Sequence, residues 1–170
     1  ALLLERLARY RVTTFCAPPT IYRFLIHEDF AKHDLSALRR CLTAGEPLQP
    51  EVYSRWQSLT GLPITEGFGQ TEGVVLCANY EGFPIRPGSM GKPSALYDID
   101  LVDDEGQSVP AGTEGSLVIR GLDREIPSGL FREYYRDPAT TASVWHDGMY
   151  FTGDVAYKDE SGYYWYVGRS

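Results

Sequence analysis

A chain of 170 residues, 43% hydrophobic and 23% charged, has enough apolar surface to bury one sizeable core and is too apolar to be disordered. A formal net charge of −7 opposes nucleic-acid backbone or an anionic membrane surface as the main partner, and leaves room for a local cationic site. Cys16, Cys41 and Cys77 are odd in number, far apart and in or beside apolar segments, so they read as reduced, mostly buried thiols; neither they nor His27, His33 and His146 have metal-ligand spacing.

In chain order, residues 1–10 (ALLLERLARY) read as a helix already under way, with no Ser, Thr, Asp or Asn to cap it. Residues 12–16 are a short β-branched run, ended by Pro18-Pro19, which opens a helix to about residue 27. Cys41-Leu42-Thr43-Ala44 is a second short strand turned by Gly45, and Pro50 opens a helix that Gly61 and Pro63 close. This alternation predicts a βαβα layer on a mostly parallel sheet over residues 1–83.

From Gly82 the pattern changes. Pro84, Pro87, Gly88, Gly91 and Pro93 make a loop-rich bridge. Strands are then expected at about 99–102, 116–120, 150–157 and 163–167, with turn clusters at 103–106, 147–148 and 159–162 and a short helix starting at Asp137. Residues 84–170 are therefore expected to form an antiparallel, β-rich, barrel-like subdomain, which makes the fold class α/β, in the mixed α+β sense. No apolar run approaches the length of a membrane span and no basic-then-apolar leader opens the chain, so the expected location is cytoplasmic. The uncapped helix at Ala1 and the strand that stops at Val167-Gly168-Arg169-Ser170 read as cuts in a longer protein.

The densest chemical signal is Thr65-Glu66-Gly67-Phe68-Gly69-Gln70-Thr71-Glu72-Gly73. Its glycines allow close backbone approach to a ligand, its aromatic ring offers a stacking face, and Thr and Glu offer oxygen ligands, a set that suits a nucleotide with bound magnesium. From composition alone the blander reading, a glycine-rich turn with a solvated acid, is preferred. A dinucleotide fingerprint is excluded, because the spacing is G-x-G-x-x-x-G and no acidic residue lies between Gly82 and Tyr97. A phosphate loop fails too: its nearest match, ending Gly91-Lys92-Pro93, has Arg86 where the first glycine belongs.

Glu66-Gly67-Phe68-Gly69-Gln70-Thr71-Glu72 resembles the signature of the adenylate-forming superfamily, which includes acyl-CoA synthetases, peptide-synthetase adenylation domains and luciferases. Ala44-Gly45-Glu46-Pro47-Leu48 resembles its adenine-side loop, Tyr150-Phe151-Thr152-Gly153-Asp154 its ribose-binding segment, and Val167-Gly168-Arg169 its interdomain boundary. The four motifs stand in the family's order, and the similarity runs through almost the whole chain. It is greatest to medium-chain acyl-CoA synthetases, through Gly88-Ser89-Met90-Gly91-Lys92-Pro93 and Gly129-Leu130-Phe131.

The resemblance implies that Phe68 lies against adenine, that Gly45, Glu46 and Pro47 border the nucleotide, and that Glu66 sits near the adenine edge, with Gly67, Gly69 and Gln70 also in the AMP/ATP site. Thr71 would bond the α-phosphate and Glu72 would help hold Mg2+, the two residues assigned to catalysis. Asp154 would take both ribose hydroxyls, and Arg169 would reach the ribose or phosphates. Gly69 and Gly91 would belong to the acyl pocket; acetate-specific relatives carry a bulky Trp where this chain has Gly69, so the pocket is expected to admit a longer or aromatic acid. Residues 76–78 either line that pocket or form a plain buried strand. The implied reaction joins a carboxylic acid to CoA at the expense of ATP. A phosphate-gripping loop before residue 1 and a mobile lysine-bearing domain after residue 170 would be missing, so the chain alone is expected to be inactive. An adenylation domain loading a carrier protein and a non-catalytic nucleotide-binding module are the alternatives, and the sequence sets no oligomeric state.

Overall fold

The computed structural model describes residues 2–170. The chain forms two compact units, Ala1–Gly67 with Asn79–Gly88, and Phe68–Ala78 with Ser89–Ser170. No helix among the described residues is long and apolar enough to cross a membrane.

In the first unit, α1 (Leu2–Arg9), β1 (Thr14–Cys16), α2 (Pro19–Leu25), β2 (Arg40–Ala44), α3 (Pro50–Thr60) and β3 (Ile64–Phe68) follow one another. The three strands are parallel, with Phe15 opposite Cys41 and Thr43 opposite Glu66. Helical spacing places Leu4 and Leu7, Tyr22 and Leu25, and Val52, Tyr53 and Trp56 on the buried faces of their helices. These side chains pack on Phe15, Cys41 and Ile64. At the centre, the fully buried Trp56 meets Tyr22 edge-on at 4.8 Å and Phe30 at 5.6 Å. Pro19 and Pro50 occupy first-turn positions, where a missing N–H leaves no bond unmade. Gly61 ends α3 at φ 73, a left-handed cap suited to glycine, and donates its N–H to the Gln57 carbonyl at 2.8 Å.

In the second unit, β4 (Cys77–Ala78) and β5 (Lys92–Pro93) form a short antiparallel pair. They are followed by β6 (Ile99–Val102), β7 (Glu114–Ile119), α4 (Pro138–Val144), β8 (Trp145–His146), β9 (Met149–Lys158) and β10 (Tyr164–Arg169). The larger sheet is antiparallel throughout, in the order β10-β9-β7-β6 with β8 added on β9. It curls as an open half-barrel, with β6 and β10 at the ends of the path. Inward residues Leu101, Leu117, Ala156 and Tyr164 share one core with Cys77 and Met90, and Ile119 and Tyr150 share another with Leu76, Tyr97 and Leu130. Two irregularities bend the sheet. Ser116 pairs with Val155 but Val118 with Phe151, so residues 152–154 bow out of the β7 ladder. On β10, Val167 is an extra residue between the pairs Tyr166–Ala156 and Gly168–Val155.

The mixed α/β class, with a β-rich and barrel-like second half, is as expected, and the departures are local. β1 begins at Thr14 rather than Val12, because Val12 still donates to the Leu7 carbonyl and finishes the turn after α1. α2 ends at Leu25, short of residue 27. All three cysteines are free, but Cys16 is exposed, since strand alternation turns it away from buried Phe15. Burial pushes the Cys41 thiol up to about 11 and the Cys77 thiol up to about 12, so both stay protonated.

Candidate functional site

The expected site residues fall in both units. In the first, β2 and β3 end side by side, with Ala44 opposite Gly67. Gly45, Glu46 and Pro47 therefore leave the sheet beside Glu66 and Gly67, at the carboxyl ends of parallel strands, where open α/β sheets place ligands. Gly45 turns the loop at φ 92, and the exposed Glu46 accepts a 2.7 Å hydrogen bond from the Thr20 hydroxyl. Strand alternation puts Glu66 on the same inward face as Ile64 and leaves it 7% exposed. Its Oε1 accepts from the Leu48 N–H at 3.1 Å, tying the loop to the strand. Burial outweighs that single donor and pushes the Glu66 carboxyl up to about 7. A Cβ added at Gly67 would meet nothing within 4 Å, so packing inside the chain does not demand this glycine.

In the second unit, residues 68–76 form a tight turn closed by Gln70 N–H to Gly73 O at 2.9 Å and Leu76 N–H to Phe68 O at 2.7 Å. Gly69 has a packing reason: a Cβ there would lie 3.1 Å from Gly73 O and 3.2 Å from Val75 N. Phe68 is half-buried against the core, 6.3 Å from the Tyr166 ring. Thr71 is exposed at the tip. Gly91 is buried at φ 88 in a separate turn, where its carbonyl accepts from the Tyr164 N–H at 2.8 Å. Leu76, Cys77 and Ala78 are all buried, the first two in core clusters.

The bowed segment of β9 builds the most connected part of the site. The Leu117 carbonyl, facing the bow, accepts the Thr152 hydroxyl at 2.9 Å, and Gly153 takes φ 74. Asp154, 3% exposed, is thereby brought between two donors. Gln70 donates its Nε2 to Asp154 Oδ2 and, at 2.9 Å, to the Thr152 carbonyl, while Arg169 Nη1 donates to Asp154 Oδ1 at 3.2 Å. The Tyr150 hydroxyl in turn donates to Gln70 Oε1 at 2.8 Å, which fixes the orientation of the amide. Burial raises the Asp154 pKa, opposed by the Arg169 charge and the Gln70 hydrogen bond. Arg169 reaches inward from a largely exposed position, its side chain 66% accessible.

Glu72 is within electrostatic reach of Asp154, and its Oε1 accepts the Tyr134 hydroxyl at 2.8 Å. Desolvation first, and then Glu72, raise the Tyr134 pKa, so the phenol remains a donor. No three His, Cys, Asp or Glu side chains converge as a metal cage among the described residues. One carboxylate with a spare oxygen fits the way Mg2+ binds, through one or two carboxylates together with substrate phosphates and water. Tyr134, Tyr150 and Thr152 are the polar groups that sequence reasoning did not single out. Thr152 and Tyr150 lay inside a recognised motif, whereas Tyr134 carries no local signal.

The mixed α/β scaffold thus carries a glycine-rich turn, a buried aspartate and a reaching arginine. The chain belongs to the AMP-binding enzyme family, which matches residues 1–135. It is 45% identical over 168 residues to the mitochondrial acyl-coenzyme A synthetase ACSM3 of Mus musculus, covering 99% of this chain and 29% of that protein. It is 44% identical over 167 residues to the mitochondrial acyl-coenzyme A synthetase ACSM4 of Homo sapiens, covering 98% and 29%. The crystal structure of the anthranilate CoA ligase AuaEII in complex with anthranoyl-AMP superposes with a TM-score of 0.88 at 36% identity, covering 99% of this chain and 32% of that one. The chain thus spans under a third of the length of the relatives it matches. Their mitochondrial names overturn the cytoplasmic expectation. That expectation rested on finding no apolar leader, and mitochondrial transit peptides are amphipathic, arginine-rich segments that such a search does not detect.

Proposed function

We propose that the chain is the adenylate-binding part of an AMP-forming acid–thiol ligase, which activates a medium-chain or aryl carboxylic acid with ATP and passes the acyl group to CoA. The observation that carries this reading is Asp154, buried and held on each oxygen by Gln70 and Arg169. A carboxylate has about four lone-pair sites, so two remain for the paired hydroxyls of a ribose. The names of the relatives support CoA as acceptor, and the anthranilate ligase supports an aryl acid.

In this reading Phe68 offers its ring to adenine, Glu66 its edge contact, and Gly45, Glu46, Pro47 and the open Gly67 the surrounding backbone. Thr71 hydrogen-bonds the α-phosphate, and Gly69 and Gly91 border the acyl group. An oxygen of the acid attacks the α-phosphorus and the bond to the bridging oxygen breaks, releasing pyrophosphate and leaving the acyl-adenylate. The CoA sulfur then attacks the acyl carbon and AMP departs. The chain's residues contribute position and fixed charge rather than covalent chemistry. A Mg2+ ion held by Glu72 would neutralise phosphate charge. Residues outside 1–170 are needed for turnover, so the chain alone is expected to show no synthetase activity.

The test is acid-dependent pyrophosphate release by the full-length protein with Mg-ATP and acetate, octanoate or benzoate. Release that peaks with octanoate or benzoate and turns over with CoA supports the assignment. No release with any acid overturns it, turnover only with a carrier protein replaces the acceptor, and full turnover by residues 1–170 alone removes the need for the rest.

A further inference from the structure

We propose that Tyr134 is a positioning residue for Glu72: its hydroxyl fixes one carboxylate oxygen and leaves the other presented to a divalent cation bound with the nucleotide phosphates. The inference rests on the adenylate-binding reading above and assigns a task to a residue outside every recognised motif.

Tyr134 Oη donates to Glu72 Oε1 at 2.8 Å, while Glu72 Oε2 has no hydrogen-bond partner among the described residues. The backbone of the same turn is already secured without the hydroxyl. Phe131 N–H donates to the Glu72 carbonyl at 2.6 Å, Val74 N–H donates to the Gly129 carbonyl at 3.3 Å, and Gly73 and Leu130 form an antiparallel bridge. The main-chain bonds therefore hold the turn without the phenol, whose hydroxyl bonds the Glu72 carboxylate and lies near the Tyr150 hydroxyl.

Tyr134 is itself held from behind. Its N–H donates to Thr141 Oγ1 at 2.9 Å, and that hydroxyl donates to the Asp137 carbonyl at 2.8 Å. Asp137 caps α4 by accepting from the Thr140 N–H at 3.0 Å. The Tyr134 ring also leans on Phe131 at 4.9 Å. A glutamate with one oxygen pinned this way has lost much of its rotamer freedom before a cation arrives, so less ordering is left to be done on binding.

The experiment measures ATP affinity by calorimetry, with Mg2+ and with EDTA, on the full-length protein and its Tyr134→Phe, Glu72→Gln and double variants. Phe keeps the ring contact with Phe131 and removes only the hydroxyl. The gain in ATP affinity on adding Mg2+ is expected to fall about tenfold in Tyr134→Phe. Metal-free affinity should stay within about twofold, and the hydroxyl's removal should add nothing in the Glu72→Gln background. An unchanged gain overturns the proposal, and so does an equal loss with and without metal, which would mark a merely structural tyrosine. If Tyr134→Phe loses the gain but the wild type shows no acid-dependent pyrophosphate release, the ligase reading fails and the positioning role stands. If release occurs and Tyr134→Phe keeps the full gain, the reverse holds, and a wild type with no gain overturns the positioning role alone.

Discussion

Each unit buries one carboxylate from the recognised motifs, and the two are held differently. Glu66, on a parallel strand of the first unit, meets a single backbone N–H, from Leu48. Asp154, on the bowed strand of the second, meets Gln70 and Arg169. Both are almost inaccessible, at 7% and 3%, and burial raises both pKa values. Glu66 has little to oppose burial and lies near 7, ready to be neutral; Asp154 has an amide and a guanidinium that favour its charge. Burial sets the direction of such a shift, while the donors decide whether the group can serve as an anionic anchor. The first unit centres on apolar and aromatic packing around Trp56, whereas the second adds to its apolar clusters a polar chain from Tyr150 through Gln70 and Asp154 to the exposed Arg169.

The comparison can be broken at four places. The largest effect is expected from Trp56→Ala, which empties the aromatic centre of the first unit and should cost about 3–5 kcal/mol in urea unfolding. Hydrogen exchange should quicken first in β1–β3, and a loss below about 1 kcal/mol would show that packing there does not depend on this cluster. Next, Glu66 titrates with its folded pKa raised, so the stability it contributes is fully present below about 4.5 and disappears as pH rises through about 7. Glu66→Gln removes that dependence, and the variant should gain on the wild type by up to about 3 kcal/mol across this window and then level off. A flat difference would mean that Glu66 ionises normally.

Asp154→Asn should weaken AMP binding by calorimetry about 10- to 100-fold, as expected for losing charged hydrogen-bond acceptance, with little change in Tm. Binding within about threefold of the wild type would move the ribose elsewhere. The smallest effect separates two readings of one glycine. If Gly69 is set by the backbone packed against it, Gly69→Ala costs about 1 kcal/mol and leaves acid preference unchanged. If its smallness opens the acyl pocket, acid preference shortens while stability holds.

Much of the architecture was legible because its causes are local. Pro19 and Pro50 open helices, Gly61 closes one, and Leu4 with Leu7 announces a buried face. β5 and β8 were not legible: two residues such as Lys92-Pro93 become a strand only because Cys77-Ala78 lies beside them. The grouping of residues 68–78 with the second unit depends on the same distant pairing, whereas composition changes only near Gly82. In the site, Gln70, Glu72, Asp154 and Arg169 stood out as parts of ordered motifs, and the structure brings Gln70, Asp154 and Arg169 into one hydrogen-bonded group. Tyr134 did not stand out, because its partner lies 62 residues earlier and its neighbours Glu133, Tyr135 and Arg136 are ordinary exposed residues. The tight fit of Gly69 was equally hidden, since it follows from how the turn closes on Val75.

The extra residue on β10 has a consequence for how such a chain tolerates change in length. With Val167 left out of the pairing, Arg169 stands opposite Asp154; were Val167 to pair with Val155, in the register set by Tyr166 and Ala156, Arg169 would stand opposite Gly153 with its side chain turned to the other face of the sheet. One residue of slack thus acts as an address that decides which side of the sheet receives the guanidinium. A one-residue deletion here would use up the slack and leave the arginine opposite Asp154, whereas a one-residue insertion, with composition and hydrophobic pattern almost untouched, would redirect it as surely as replacing it.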